Sequence, residues 1–284
     1  MIKLGLIGKN INTSQAPDIH HKLGELFNIP LTYELFDLKD RDDNYLSELI
    51  LNIQNKGFAG VNITFPFKET VMQFADKINQ SSSYVKSTNT LLFKKKIIAE
   101  NTDYTGFLRN YLFHFNDTKP GEILVIGGGG VGRAIIYALG LLDVSHIYLL
   151  ELDYNRASNL IKELKIANIN SSLIKVDDLK SIIKQVDGII NCSPIGHHDF
   201  PGCPLGELKP NDFHWIFDAV YTPAKTKLIK KGEEAGSKVI SGIDLFIFQA
   251  LNAFLLFTEK KIPKDKLSHH VDFLRNHYFK KLYK

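Results

Sequence analysis

The stretch Glu122-Ile-Leu-Val-Ile-Gly-Gly-Gly-Gly-Val-Gly-Arg-Ala-Ile-Ile-Tyr-Ala-Leu139 constrains this chain more than any other. Ile123 to Ile126 is a short branched apolar run, which reads as a strand buried on both faces. Gly127, Gly129 and Gly132 then give G-x-G-x-x-G, and Val131, Ala134, Ile135, Ala138, Leu139 and Leu142 recur at helical spacing. Strand, glycine turn and amphipathic helix is the context in which such a turn holds the pyrophosphate of a dinucleotide. The first glycine permits the tight turn, the second lets backbone approach the phosphates, and the third lets helix pack closely on strand. The helix start at Gly130 and Val131 offers N–H groups and a partial positive charge. A glycine-rich turn also occurs without a ligand, so its neighbourhood decides.

The next strand supplies that neighbourhood. His146-Ile-Tyr-Leu-Leu150 is apolar and ends at Glu151-Leu-Asp153. An acidic side chain about 20 residues after the turn is placed to accept hydrogen bonds from adenosine ribose hydroxyls. A 2′-phosphate would meet that carboxylate and be repelled, so the expectation is NAD, with NADP the alternative. Glu151 is the better placed acid and Asp153 the second choice. Arg156 argues the other way, because a nearby guanidinium pairs well with a 2′-phosphate.

Length allows two modest domains in 284 residues. With 44% hydrophobic and 23% charged residues the composition is that of an ordinary globular protein. A net charge of +4 with scattered lysines gives no footprint for nucleic acid. The first strand begins at Ile2, so no signal peptide is expected. The apolar stretch 242–257 carries Asp244, Gln249 and Asn252, so it reads as a buried helix rather than a membrane span. Cys192 and Cys203 suit two reduced thiols in a cytoplasmic protein. A monomer or homodimer acting on a small molecule, without a metal, nucleic acid or a membrane, is the expectation.

Strands and helices alternate from the start. Residues 2–7 form a strand, Gly8 to Pro17 a polar loop, and 17–28 a helix that Pro17 opens. Strands at 31–38 and 60–64, helices at 44–55 and 67–76, and a hairpin of 89–93 with 96–101 follow, with Lys94-Lys95-Lys96 at the hairpin tip. A helix over 104–115 leads into the glycine turn. Beyond the 146–150 strand come helices at 153–164 and 178–184, strands at 188–192, 215–219 and 238–240, and helices at 243–257 and after Lys264. This order predicts an α/β protein with a mainly parallel sheet in an N-terminal substrate domain and a Rossmann-type dinucleotide domain. The expected boundaries are 1–103 with 243–284, the C-terminal helices returning to the first domain, and 104–242.

Polar residues stand at strand ends of the first domain: Ser14, Asn62, Thr64, Lys68, Asn89 and Asp103. Ligands of open α/β sheets bind beyond the carboxyl ends of strands. Lys68 opens the expected 67–76 helix, where the dipole disfavours a cation and favours a neutral amine suited to proton transfer. Asp103 pulls toward the charged form. Taken singly, each of these residues also suits capping or turn chemistry.

Jointly they carry a resemblance. Asn62-Ile-Thr-Phe-Pro-Phe-Lys68 is similar to the N-V-T-x-P-[FY]-K segment of the shikimate dehydrogenase family. Thr88-Asn-Thr90 resembles its V-N-T, Asn101-Thr-Asp103 its N-T-D, and Asn191-Cys-Ser-Pro-Ile-Gly196 its N-[AC]-[ST]-P-x-G loop. Asp218 to Pro223 resembles its D-x-x-Y-x-P, and Gly242 to Gln249 its G-x-[DG]-M-L-x-x-Q. The matches run in family order over nearly the whole chain. The resemblance implies hydride exchange between a nicotinamide and a ring alcohol of a cyclohexene or cyclohexane carboxylate. It implies that Lys68 moves the proton, that Asp103 binds the same hydroxyl and orients Lys68, that Asn89, Thr64 and Gln249 hold other hydroxyls, and that Ser14 and Tyr221 receive the carboxylate. Ser193, Pro194, Val220 and Gly242 join the glycine turn as coenzyme residues. Two loop sets from separate domains imply a cleft that closes and excludes water.

Departures from the family pattern sharpen the expectation. The substrate loop usually reads S-x-S-P or S-x-T-P; here it is Ser14-Gln-Ala-Pro17, without the second hydroxyl. The NADP branch carries N-R-T-x-x-[RK] where this chain has Glu151-Leu-Asp-Tyr-Asn-Arg156, which resembles the NAD-preferring quinate/shikimate branch. Shikimate is the first expectation, quinate the second and an amino-substituted relative the third. The rival readings are an NADP-dependent biosynthetic enzyme and a non-catalytic dinucleotide-binding regulator. Tyr221-x-x-x-Lys225 has the spacing of a short-chain dehydrogenase pair, but Pro223 opposes the helix that pair needs.

Overall fold

The computed structural model describes residues 1–39, 45–212, 214–261 and 264–283. Two compact units make up the chain: Met1–Gly106 with Ile247–Val271, and Phe107–Phe246 with Asp272–Lys284. The first unit opens with β1 (Ile2–Gly8), α1 (Ala16–Leu26), β2 (Leu31–Asp37), α2 (Tyr45–Asn55) and β3 (Gly60–Ile63). It continues with β4 (Lys77–Ile78), α3 (Gln80–Val85), β5 (Thr90–Phe93) and β6 (Ile97–Glu100), and α4 (Thr102–Phe115) follows. The expected start of the second helix at Asn44 lies outside the described residues.

The sheet order is β2-β1-β3-β5-β6-β4. β1 pairs parallel with β2 and β3, and β4 pairs parallel with β6. The hairpin β5–β6 is antiparallel and also joins β3 antiparallel. Leu4, Leu6, Tyr33, Leu92, Ala253 and Phe257 pack one apolar cluster, and Ile7, Leu49, Ile53, Val61, Phe67 and Leu91 another.

The second unit contains β7 (Glu122–Ile126), α5 (Gly130–Leu141), β8 (His146–Leu150), α6 (Tyr154–Ile166), β9 (Ser171–Leu173), α7 (Leu179–Ile182), β10 (Gly188–Asn191), β11 (Trp215–Asp218), α8 (Lys227–Ala235) and β12 (Lys238–Ser241). The chain ends in α9 (Gly242–Thr258) and α10 (Lys264–Lys281). The strand order is β12-β11-β10-β7-β8-β9, all parallel. That is the doubly wound order of a Rossmann sheet, with its reversal between β7 and β10. Helices α4, α9 and α10 each contribute residues to both units. Among the described residues no helix is long and apolar enough to cross a membrane.

The α/β class holds, with local corrections. The helix expected over 67–76 is a turn followed by a five-residue 3-10 helix, Thr70–Phe74. β-Branched Thr70 and Val71 are weak helix formers. Asp76 then accepts the Ile97 N–H at 2.7 Å, which draws the chain to the hairpin as β4. The dipole argument for Lys68 therefore lapses. The 178–184 helix shrinks to Leu179–Ile182 behind a 3-10 turn at Val176–Asp178. Sequence reading also missed α3, β9 and α8. Gln80-Ser-Ser-Ser-Tyr-Val85 has no apolar period and stops at left-handed Lys86 (φ 54°). α8 is framed by its cap, Thr226, whose hydroxyl accepts the Ile229 N–H at 3.2 Å, and by left-handed Gly236 at its end, with Leu228 and Ile229 buried between them.

Leu124, wholly buried in central strand β7, carries much of the second core. Leu124→Ala should lower unfolding free energy by about 2–5 kcal/mol in urea titrations. An unchanged midpoint would contradict this packing.

Candidate active site

Both units end their strands in polar side chains that need partners. In the first unit the loop after β1 lies beside the loop after β3. The Lys9 N–H donates to Phe65 O at 3.0 Å and the Thr64 N–H to Ile7 O at 2.9 Å. Antiparallel β5 begins at the same sheet edge, where Asn62 faces Thr90. The Thr88 N–H reaches Lys68 O at 2.7 Å. This edge also receives the N-terminus of α4. Lys68 Nζ lies 2.5 Å from Asp103 Oδ2, with side chains only 17% and 10% exposed.

The amide of Asn89 is fixed in one orientation. Its Oδ1 accepts the Thr102 N–H at 2.7 Å, with the Thr102 and Thr90 hydroxyls at 3.1 and 3.0 Å. A backbone N–H only donates, so the atom facing it is the oxygen. Nδ2, which donates to no described residue, is left as the outward group. Asn62 backs this arrangement: Nδ2 donates to Thr90 Oγ1 at 3.1 Å, and Oδ1 accepts the Tyr33 hydroxyl at 2.9 Å. Buried His20 stacks on Tyr33 at 4.6 Å. Burial pushes its pKa down to about 3, so it stands there neutral.

The other expected substrate residues are placed as follows. Ser14 Oγ accepts the Ala16 N–H at 3.2 Å just ahead of α1. Thr64 closes β3. Gln249 lies on α9 in the first unit. Tyr221 belongs to the second unit, where its ring stacks on Phe246 at 4.9 Å and 14°. Residues 221–225 form no helix and Lys225 pairs with Glu233 at 2.9 Å, so the Tyr-x-x-x-Lys spacing carries no catalytic pair.

In the second unit the glycine turn sits at the sheet's reversal point, between the ends of β7 and β10. Each motif glycine has its own reason. Gly127 has φ +97°, and a Cβ there would lie 2.8 Å from Ser193 N. At Gly132 a Cβ would lie 2.1 Å from Gly127 O. Gly129, by contrast, has nothing within 4 Å of its Cβ position, so the space beside it is open. Gly130 and Val131 form the first turn of α5, whose N–H groups have no partner within the helix. An open glycine beside unpaired helix donors fits a pyrophosphate.

Glu151 is tied into this turn. Its Oε2 accepts the Gly128 N–H at 2.7 Å and its Oε1 the Asp153 N–H at 2.9 Å. A carboxylate offers about four lone-pair positions, so capacity for hydroxyl donors remains. Asp153 caps α6 through the Arg156 N–H at 3.0 Å. The Arg156 guanidinium lies 3.6 Å from Glu151 and 3.5 Å from Asp153, so two carboxylates share one cation. The cluster keeps one surplus negative charge.

Behind the turn lies a hub that sequence reading quoted only as motif letters. Asn191, at the end of β10, donates from Nδ2 to Asp218 Oδ1 at 2.8 Å and to Ile195 O at 3.0 Å. Its Oδ1 accepts the Ser193 hydroxyl at 2.6 Å and the Ser193 N–H at 3.1 Å. Asp218, at the end of β11, also accepts the Thr226 hydroxyl at 2.6 Å and the Val220 N–H at 3.1 Å. Gly242 presses on the Asp218 and Ala219 carbonyls, where a Cβ would lie 2.7 and 2.6 Å away. One hub thus fixes Ser193, Val220 and Gly242, while Pro194 stays exposed. Asn191 and Asp218 are register partners, a relation visible only once β10 and β11 pair.

Burial raises the Asp218 carboxyl from the ordinary 3.8 to about 6, opposed by its three donors. Between those values the folded protein holds a proton that the unfolded chain has released, so this group makes stability fall as pH rises from about 4 to about 6. Asp218→Asn removes the titration. The stability of wild type relative to this variant, from urea unfolding at pH 4 and pH 7, should be lower at pH 7. A pH-independent difference would refute the assignment.

A family model described as the shikimate dehydrogenase substrate binding domain matches residues 6–91. A shikimate dehydrogenase (NADP(+)) of Clostridium botulinum strain 657 is 34% identical over 262 residues, 90% of this chain and 96% of its own. A quinate/shikimate dehydrogenase (NAD(+)) of Corynebacterium efficiens is 31% identical over 90% of this chain and 93% of its own. The solved quinate dehydrogenase from Corynebacterium glutamicum in complex with NAD aligns with a TM-score of 0.87 at 27% identity, covering 99% of both chains. Identity at this level across almost the full length of such relatives makes this chain a member of the shikimate dehydrogenase family.

Proposed function

We propose that this chain is an NAD-linked dehydrogenase that interconverts the C3 alcohol and ketone of shikimate, with quinate as a second substrate. The observation that carries the reading is the shielded Lys68–Asp103 pair. In oxidation Lys68 Nζ, as the neutral amine, would take the proton of the substrate hydroxyl, and bound NAD would supply the hydride acceptor. In reduction Nζ returns the proton to the carbonyl oxygen. Asp103 accepts the Nζ hydrogen bond and so holds the amine in line with the substrate hydroxyl. Asn89 donates from Nδ2, Thr64 and Gln249 bind further ring hydroxyls, and Ser14 and Tyr221 take the carboxylate. Neutral partners in this number suit a polyol, because an analogue lacking a hydroxyl leaves them unpaired. Ala16 removes one hydroxyl from the carboxylate loop, which favours a substrate with a bulkier substituent there.

On the coenzyme side, Gly127, Gly129, Gly130, Val131 and Gly132 take the pyrophosphate, and Glu151 with Asp153 the ribose. Ser193, Pro194, Val220 and Gly242 border the nicotinamide half. The names of the relatives divide on coenzyme, so the choice rests on the acidic turn. A phosphate about 4 Å from its surplus charge meets roughly 1–4 kcal/mol of repulsion, depending on screening. Since 1.4 kcal/mol is tenfold, kcat/KM with NAD should exceed that with NADP about tenfold or more, in initial rates for both acids. A preference for NADP would reverse the coenzyme assignment.

Lys68→Ala separates an enzyme from a dinucleotide-binding regulator. Loss of the proton carrier should lower kcat about 10²–10⁴-fold, with NAD affinity by calorimetry unchanged. Retained turnover would remove Lys68 from the chemistry.

A further inference from the structure

Gly106 lies inside α4, one turn beyond Asp103 on the same helix face. It has no positive φ, so backbone conformation does not call for glycine. An interior glycine weakens a helix relative to alanine. What the position lacks is room. A Cβ at Gly106 would lie 2.8 Å from Gln249 N, 2.9 Å from its Cα and 3.0 Å from its Cβ. The backbones of α4 and α9 therefore touch at this point. One residue earlier, Thr105 Oγ1 accepts the Asn252 Nδ2 hydrogen bond at 3.0 Å. Gln249 and Asn252 are three apart, so one face of α9 is locked against α4 by a missing side chain and a hydrogen bond.

We infer that Gly106 is a positioning residue that sets the reach of Gln249 relative to Asp103, with Thr105–Asn252 holding the same crossing. The inference rests on the reading of Gln249 as a substrate-binding residue of a shikimate dehydrogenase. A methyl group at 106 must displace backbone, because no flexible side-chain end is there to yield. Gln249 then shifts by a fraction of an ångström up to about 1 Å, a displacement that can cost up to about 10²-fold. Asp103, one turn away on α4, is held by the capping bonds of Asn89 and Asn101 at the helix start, so the displacement falls on α9. The loss therefore falls on binding of a remote ring hydroxyl, which raises KM and spares kcat.

The test is a double-mutant cycle of Gly106→Ala and Gln249→Ala, read as KM, kcat and calorimetric Kd for shikimate. Gly106→Ala alone should raise KM and Kd about tenfold, with kcat within about threefold and the coenzyme KM unchanged. In the Gln249→Ala background it should add less than about twofold. An unchanged KM, or a full tenfold effect that persists without the Gln249 side chain, would overturn the inference. If Gly106→Ala does not fold, Thr105→Val decides. KM should then rise and return in Thr105→Ser, and an unaltered KM in the valine variant counts against the inference. Wild-type turnover tests the functional reading separately. A wild type inert toward both acids would defeat that reading, whereas an active wild type with a silent Gly106→Ala would defeat this inference alone.

Discussion

The N-terminus of α4 is the constraint on which the first unit depends. A helix start leaves N–H donors that the helix itself cannot satisfy. Asn101 Oδ1 takes the Tyr104 N–H at 3.0 Å, and Asn89 Oδ1 takes that of Thr102. Asn101 is itself held, through Nδ2, by Ser87 O at 2.9 Å and Ser87 Oγ at 3.1 Å. Satisfying those donors brings three segments to one place: the start of β5, the end of β6 and the first turn of the helix. Asp103 is then carried to Lys68 as the next residue of the same turn. The polar residues are not decoration on a finished fold; the capping bonds that seat the helix also build the site.

The second unit places its helix start beside a glycine turn instead of a capping side chain. Gly127 and Gly132 close against each other and against residues 192 and 193, and among the described residues nothing beyond its own neighbours comes within 4 Å of the Gly129 Cβ position. The first-turn donors of α5 have no partner within the helix. Glu151 fixes the loop through Gly128 and, with Asp153 and Arg156, leaves it flanked by a net negative cluster. Geometry of the turn and charge beside it thus come from one set of contacts.

Much of this was legible in the chain itself. Branched runs ending in glycine turns gave the parallel strands, and the order of polar motifs gave the family. What stayed hidden depends on pairing between distant segments. The 67–76 helix looked sound by composition, yet Asp76 is claimed by the Ile97 N–H across the hairpin. α3 has no apolar stripe to reveal it, and α8 buries only Leu228, Ile229 and Gly232 of its nine residues. Asn191 and Asp218 could be quoted as letters, but their bond exists only because β10 and β11 lie in register. Arg156 read as an argument for a 2′-phosphate until its two carboxylate neighbours were placed around it.

The hidden residues share a physical logic. Asn62 is the last residue but one of β3 and Asn191 closes β10, each buried and each bonded to a terminal residue of the neighbouring strand. A polar side chain buried at a strand end has no bulk water, and left unpaired it costs about 1–3 kcal/mol. An asparagine amide both donates and accepts, so one side chain can settle an orphan on each side. Asn62 does so between Tyr33 and Thr90, and Asn191 between Ser193 and Asp218. Because every member is paired, each hub holds a single arrangement. The neighbouring residues that we propose as binding groups, Asn89 in one unit and Ser193 in the other, inherit that fixed orientation.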